Sequence, residues 1–144
     1  MPNYQGVWDI TTQFQYRSDW PVFVPPATAL FGGGNGNSNV IQKITLGTSG
    51  DAADFGDLTA GGETPAACGS ATRGVWLGGE RGSASNIIDF VTFASAGNAQ
   101  DFGDLSAATR LNAAHSSATR GVVGGGIASS RTDTIDYITI ASEG

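Results

Sequence analysis

Two side chains in this 144-residue sequence are of the kind that attack a carbonyl or ligate a metal unaided, Cys68 and His115, and each is the only one of its type. A thiolate beside an imidazole would make a nucleophile and its base. Their 47-residue separation argues otherwise, because 47 is the period of an internal repeat, so the two occupy one position in consecutive units. Two different side chains at one structural position mark a tolerant small site. One His cannot supply the several imidazoles of a zinc or copper centre, and one Cys cannot close an internal disulfide.

The carboxylates Asp51, Asp54, Asp57, Asp101 and Asp104 offer hard oxygen ligands for Ca²⁺, or an acid/base pair for glycoside hydrolysis. They lack the spacing of a calcium loop, and Asp beside Gly is ordinary turn chemistry, repeated here because the unit repeats. Neither Gly32-Gly33-Gly34-Asn35-Gly36 nor Gly124-Gly125-Gly126 carries the Lys-Ser/Thr that a phosphate-cradling loop needs. The expectation is a chain that is not an enzyme, with no catalytic residue, no bound metal and no cofactor. One polar-aromatic group remains, Trp76 with Glu80 and Arg81, which has the chemistry of a sugar-binding face. Trp76 aligns with Phe31 and Val123 in the neighbouring units, so a packed strand residue is the competing reading.

Thirteen acidic side chains against seven basic ones give a net charge of −6, and no Lys/Arg cluster is present. Nucleic acid and anionic membrane surfaces are therefore not expected partners. No apolar run approaches the roughly 20 residues of a spanning helix, and the first twenty residues have no basic and apolar signal pattern, so no membrane insertion is expected.

The elements that position these residues come from the repeat. Residues 51–97 and 98–144 are identical at 24 of 47 positions, including Asp54-Phe55-Gly56-Asp57-Leu58 with Asp101-Phe102-Gly103-Asp104-Leu105, and Ser70–Val75 with Ser117–Val122. A worn copy precedes them in Ala27–Gly34 and Asn39–Leu46. The sequence divides into a leader, 1–26, and a repeat region, 27–144, with units of about 27–63, 64–110 and 111–144. Each unit carries β-branched and aromatic runs between Gly/Ser clusters, and no apolar stripe of 3.6-residue period appears. Four strands are expected in the second unit, at 64–71, 72–79, 86–95 and 99–106. The strand holding Ile87, Ile88, Phe90, Val91 and Phe93 is apolar on both alternating sets, so its sheet is expected to be covered on both sides. Lys43 stands where the other units have Phe90 and Tyr137, which suggests a chain end or subunit boundary against that face. The doubled glycines that end the second strand of each unit can take positive φ and let neighbouring backbones come close.

Arg110, the small-residue strand Ala113-Ala114-His115-Ser116-Ser117, the apolar strand Arg120–Gly126 ending in glycines, and the aromatic strand at Asp136-Tyr137 together resemble the kelch repeat. Phe55-Gly56-Asp57-Leu58 and its second copy sit where that family has Trp and a following Leu. The series Thr-Arg-Gly-Val, Gly-Gly, Ile-Asp-Tyr-Ile-Thr-Ile-Ala-Ser and Asp-Phe-Gly-Asp-Leu is similar, more narrowly, to a kelch-like repeat of structural and tail proteins of aquatic bacteriophages. The resemblance implies an all-β fold of propeller blades of about 47 residues, two and a half to three per chain. Because propellers close with 4–8 blades, it also implies a ring completed by oligomerisation, with a dimer or trimer favoured and a stacked or solenoid assembly as the alternative. The leader, with Trp8, Phe14, Tyr16 and Trp20, is similar to segments preceding such repeats in tail-associated proteins. Those four aromatics are expected either to anchor a partner or to cover the chain's own open sheet. The implied function is a non-enzymatic structural component of a virion, in tail, fibre or baseplate, with other virion proteins as partners. The alternatives are a lectin-like module that recognises a host glycan and a capsid decoration protein.

Overall fold

The computed structural model describes residues 28–141. The leader, with Trp8, Phe14, Tyr16 and Trp20, lies outside the described residues. Ten strands follow in order: β1 (Thr28–Gly32), β2 (Val40–Thr45), β3 (Ala53–Asp57), β4 (Ala66–Gly69), β5 (Arg73–Leu77), β6 (Ser85–Thr92), β7 (Gln100–Thr109), β8 (Ala113–Ser116), β9 (Arg120–Gly124) and β10 (Ile135–Thr139). No helix occurs among the described residues. The strands form three antiparallel sheets of sequential neighbours, β1-β2-β3, β4-β5-β6-β7 and β8-β9-β10. The middle sheet has the four strands expected, each within a few residues of its anticipated bounds.

The repeat is visible in the irregularities as well as in the strands. Register shifts in the first sheet between Ile41 and Gln42, and in the middle sheet between Ile88 and Asp89, 47 positions on. Opposite these points Gly56 and Gly103 take φ of 151° and 134°. The extra residue of each bulge is a phenylalanine, and bulging is what allows residues three apart, Phe55 with Leu58 and Phe102 with Leu105, to be buried together. A regular strand would send one of each pair to the opposite face. The doubled glycines behave as their type dictates, with φ of 63° and 97° at Gly78 and Gly79, and 69° and 96° at Gly125 and Gly126. A Cβ on Gly78 would stand 2.7 Å from the Thr109 carbonyl oxygen, where the chain leaves for the next sheet. Gly79 N–H donates to that carbonyl at 2.9 Å.

The three sheets stack, and the middle one is covered on both faces. Ile41, Phe55 and Leu58 of the first sheet's unit pack with Trp76 and Val91 of the middle sheet. On the opposite face Val75, Leu77, Ile88, Phe90, Phe102 and Leu105 pack with Val123 and Ile140 of the last unit. Phe90 and Phe102 meet edge to face at 5.7 Å between centroids. Lys43 does not mark a boundary. It pairs with Leu30 across the strands, on the side of the first sheet that meets the middle sheet, and is half-buried there. A long aliphatic stem can lie along an apolar face while its ammonium reaches water, so the face keeps its ordinary neighbour.

The sheets approach most closely along β4 and β8. The Ser116 hydroxyl donates to Gly69 O at 2.8 Å and accepts from Gly69 N–H at 3.2 Å. A Cβ built on Gly121 of β9 would stand 2.7 Å from Cys68 Sγ. Gly121→Ala should therefore cost about 1–3 kcal/mol through overpacking. In a Cys68→Ala background most of that cost should vanish, a coupling measurable by a double-mutant cycle of urea unfolding curves.

Candidate functional site

The Trp76–Glu80–Arg81 group lies at the junction of the first and middle sheets, and the three side chains have separate duties. Trp76 is 3% exposed, and its indole lies against Gly32 of β1, so closely that a Cβ there would stand 2.8 Å from Nε1. With its faces packed between two sheets, the ring has no surface to offer a sugar. The Glu80 carboxylate accepts from Arg110, in a half-exposed ion pair that ties the loop after β5 to the end of the same unit.

Arg81 turns inward. Its guanidinium donates to Asp89 Oδ2 at 2.7 Å, with the two side chains 8% and 0% exposed. Arg81 also donates to Thr59 Oγ1 and to the Ala60 carbonyl. The Thr59 hydroxyl donates to Asp89 Oδ1 at 2.5 Å and the Thr59 N–H to Oδ2 at 3.3 Å. Asp89 is thus a fully buried carboxylate whose charge is met by one guanidinium and two donors from the segment that follows β3. That is the condition for burying an ion at tolerable cost. The arrangement recurs one period later without the arginine. Ser106 N–H and Oγ both donate to Asp136 Oδ2 at 3.0 Å, while Ala128 occupies the place of Arg81. Each clasp joins the third strand of one sheet to the end of the sheet before it. Asp89 is not among the residues whose type alone suggests a site. The signal was there in a lone carboxylate, repeated as Asp136, inside strands otherwise β-branched and aromatic.

Cys68 and His115 are not brought together. Cys68 faces the last sheet, packed against its core, and burial pushes the thiol up to about 11. His115 is exposed on the far side of the last sheet. A thiol held protonated at neutral pH is a poor nucleophile. Among the described residues, no three His, Cys, Asp or Glu side chains gather as a metal would require. Asp101 instead accepts from Gly103 N–H at 3.1 Å, steadying the second bulge.

What the fold leaves open is apolar. On the outer face of the first sheet Phe31 is 63% and Leu46 67% exposed, beside Val40. On the outer face of the last sheet Ile135 is 69% and Tyr137 67% exposed, beside Val122. Apart from Leu111, these are all the large apolar side chains exposed among the described residues. Each forgoes roughly 2 kcal/mol that full burial would return.

No family model matches the chain, and no curated protein matches it.

Removing the buried carboxylate should strand Arg81. Asp89→Ala is expected to cost about 3–5 kcal/mol in chemical unfolding. Asp136→Ala, which strands no cation, should cost about 1 kcal/mol. Equal losses would mean that the buried pair contributes nothing beyond its hydrogen bonds.

Proposed function

We propose that this chain is a non-enzymatic structural protein of a bacteriophage particle, its sheets acting as kelch-like propeller blades in an oligomeric assembly of the tail, fibre or baseplate. The observation that carries the blade reading is the middle sheet, a four-stranded antiparallel meander made by one 47-residue unit and buried on both faces by equivalent neighbours. Propeller blades need that two-sided cover, and a sheet with one wet face does not. Support for the particle assignment comes from the sequence, in the ordered blocks from Thr72-Arg73-Gly74-Val75 to Asp101-Phe102-Gly103-Asp104-Leu105 that resemble phage tail-associated repeats.

The absence of catalysis in this reading rests on what the candidate residues are occupied with. Cys68 packs against the last sheet, Arg81 and Asp89 neutralise each other, and Asp101 steadies the second bulge. A lectin-like role centred on Trp76 would require the first and middle sheets to part. The assembly reading uses the surfaces the fold leaves exposed, and assigns Trp8, Phe14, Tyr16 and Trp20 of the leader to anchoring on other virion proteins.

Gold-labelled antibody against the purified chain, applied to intact particles from a lysate of the source phage, should decorate one end or the fibres. Label confined to unassembled protein in the lysate would count against a structural role. Label spread over the head would favour capsid decoration instead.

A further inference from the structure

The two exposed apolar faces are the two halves of one interface that the chain already makes twice with itself. Residues on the outer face of the last sheet are repeat equivalents of residues that the middle sheet buries against the last one. Val122 corresponds to Val75, Ile135 to Ile88 and Tyr137 to Phe90, each 47 positions on, and their counterparts are 1%, 2% and 3% exposed. The outer face of the first sheet carries the opposite half. Phe31, Ile44 and Leu46 correspond to Trp76, Val91 and Phe93 of the middle sheet, and through them to Val123, Ile138 and Ile140 of the last. Val123, Ile138 and Ile140 are the residues that meet Val75, Ile88 and Phe90.

A polar contact points the same way. Arg73 lies 4.6 Å over the Phe90 ring and donates through Nη1 to the Ile140 carbonyl at 3.0 Å, bridging the middle and last sheets. Arg120, its equivalent, lies 4.9 Å over the Tyr137 ring on the open face. The repeat equivalent of Ile140 on the other open face is Leu46.

We propose that a second copy of this chain binds head to tail. The outer face of the last sheet in one copy (Arg120, Val122, Ile135, Tyr137) seats on the outer face of the first sheet in the next (Phe31, Ile44, Leu46), with Arg120 donating to the Leu46 carbonyl. The contact continues the internal stack with the same side chains in the same places. A contact between two different faces generates a closed ring or an open filament, according to its rotation. The described residues of two copies bring six stacked sheets, within the 4–8 of closed propellers, so the closed form is a dimer with two identical interfaces. The proposal deepens the assembly reading above. Its failure would leave the particle assignment standing, since antibody labelling decides that separately.

Light scattering on the purified full-length chain tests it, with four samples beside wild type. Wild type should have twice the 14.6 kDa of one chain. Leu46→Asp and Tyr137→Asp, each on an exposed face, should both halve the mass while leaving the circular dichroism spectrum unchanged. An equimolar mixture of the two should return to the dimer mass, because one copy keeps an intact first-sheet face and the other an intact last-sheet face. Ala96→Asp, in the exposed segment between β6 and β7 of the middle sheet, should remain dimeric. A monomeric wild type, as would result if residues 1–27 covered the chain's own faces, overturns the proposal. So does a dimer broken by only one of the two face variants, which would signal a like-to-like contact. A mixture that stays monomeric overturns it as well.

Discussion

Everything in this molecule depends on the need of a two-sided apolar sheet for cover on both sides. A strand such as β6, with Ile88 and Phe90 turned one way and Val91 the other, cannot leave either side in water without forgoing several side chains' worth of burial. The repeat meets that need by making each unit both the cover of one neighbour and the covered face of the next. The glycines follow from the same requirement. Gly32 makes room for the Trp76 indole and Gly121 for Cys68, each at a point where one sheet lies directly on another.

Polar groups then fix which way the sheets meet. Apolar faces alone tolerate sliding, whereas a buried carboxylate that must be reached by Thr59 and Arg81 admits one register. The second clasp, Ser106 on Asp136, sets the next junction at the same relative position. Arg73 adds a third constraint by stacking on Phe90 and donating across to Ile140 O. Equivalent junctions between successive units produce a regular stack, and a regular stack presents matched ends.

Much of this was legible in the residues. The 47-residue period, the four strands of the full unit, the two-sided burial of β6 and the positive φ of the doubled glycines all follow from residue types and spacing. Trp76 could be judged a packing residue from its alignment with Phe31 and Val123. Other features were hidden for physical reasons. Lys43 misleads because charge is a poor guide to which face a long side chain covers. The bulges at Phe55 and Phe102 were invisible because a bulge changes register without changing composition. Asp89 was obscured because a single carboxylate in an apolar strand shows its purpose only when Arg81 and Thr59, 8 and 30 positions away, are seen beside it. Exposure was the least readable property of all. Phe90 and Tyr137 occupy the same place in their units, yet one is 3% and the other 67% exposed, a difference set by the neighbouring sheet and not by the residue.

If the sheets form a closed series across copies, the shape of the particle in solution is fixed. Small-angle X-ray scattering across a concentration series should give a compact disc whose mass and maximum dimension stay constant, as a ring of six sheets requires. A rod that lengthens with concentration, or a three-sheet particle of single-chain mass at every concentration, would contradict it.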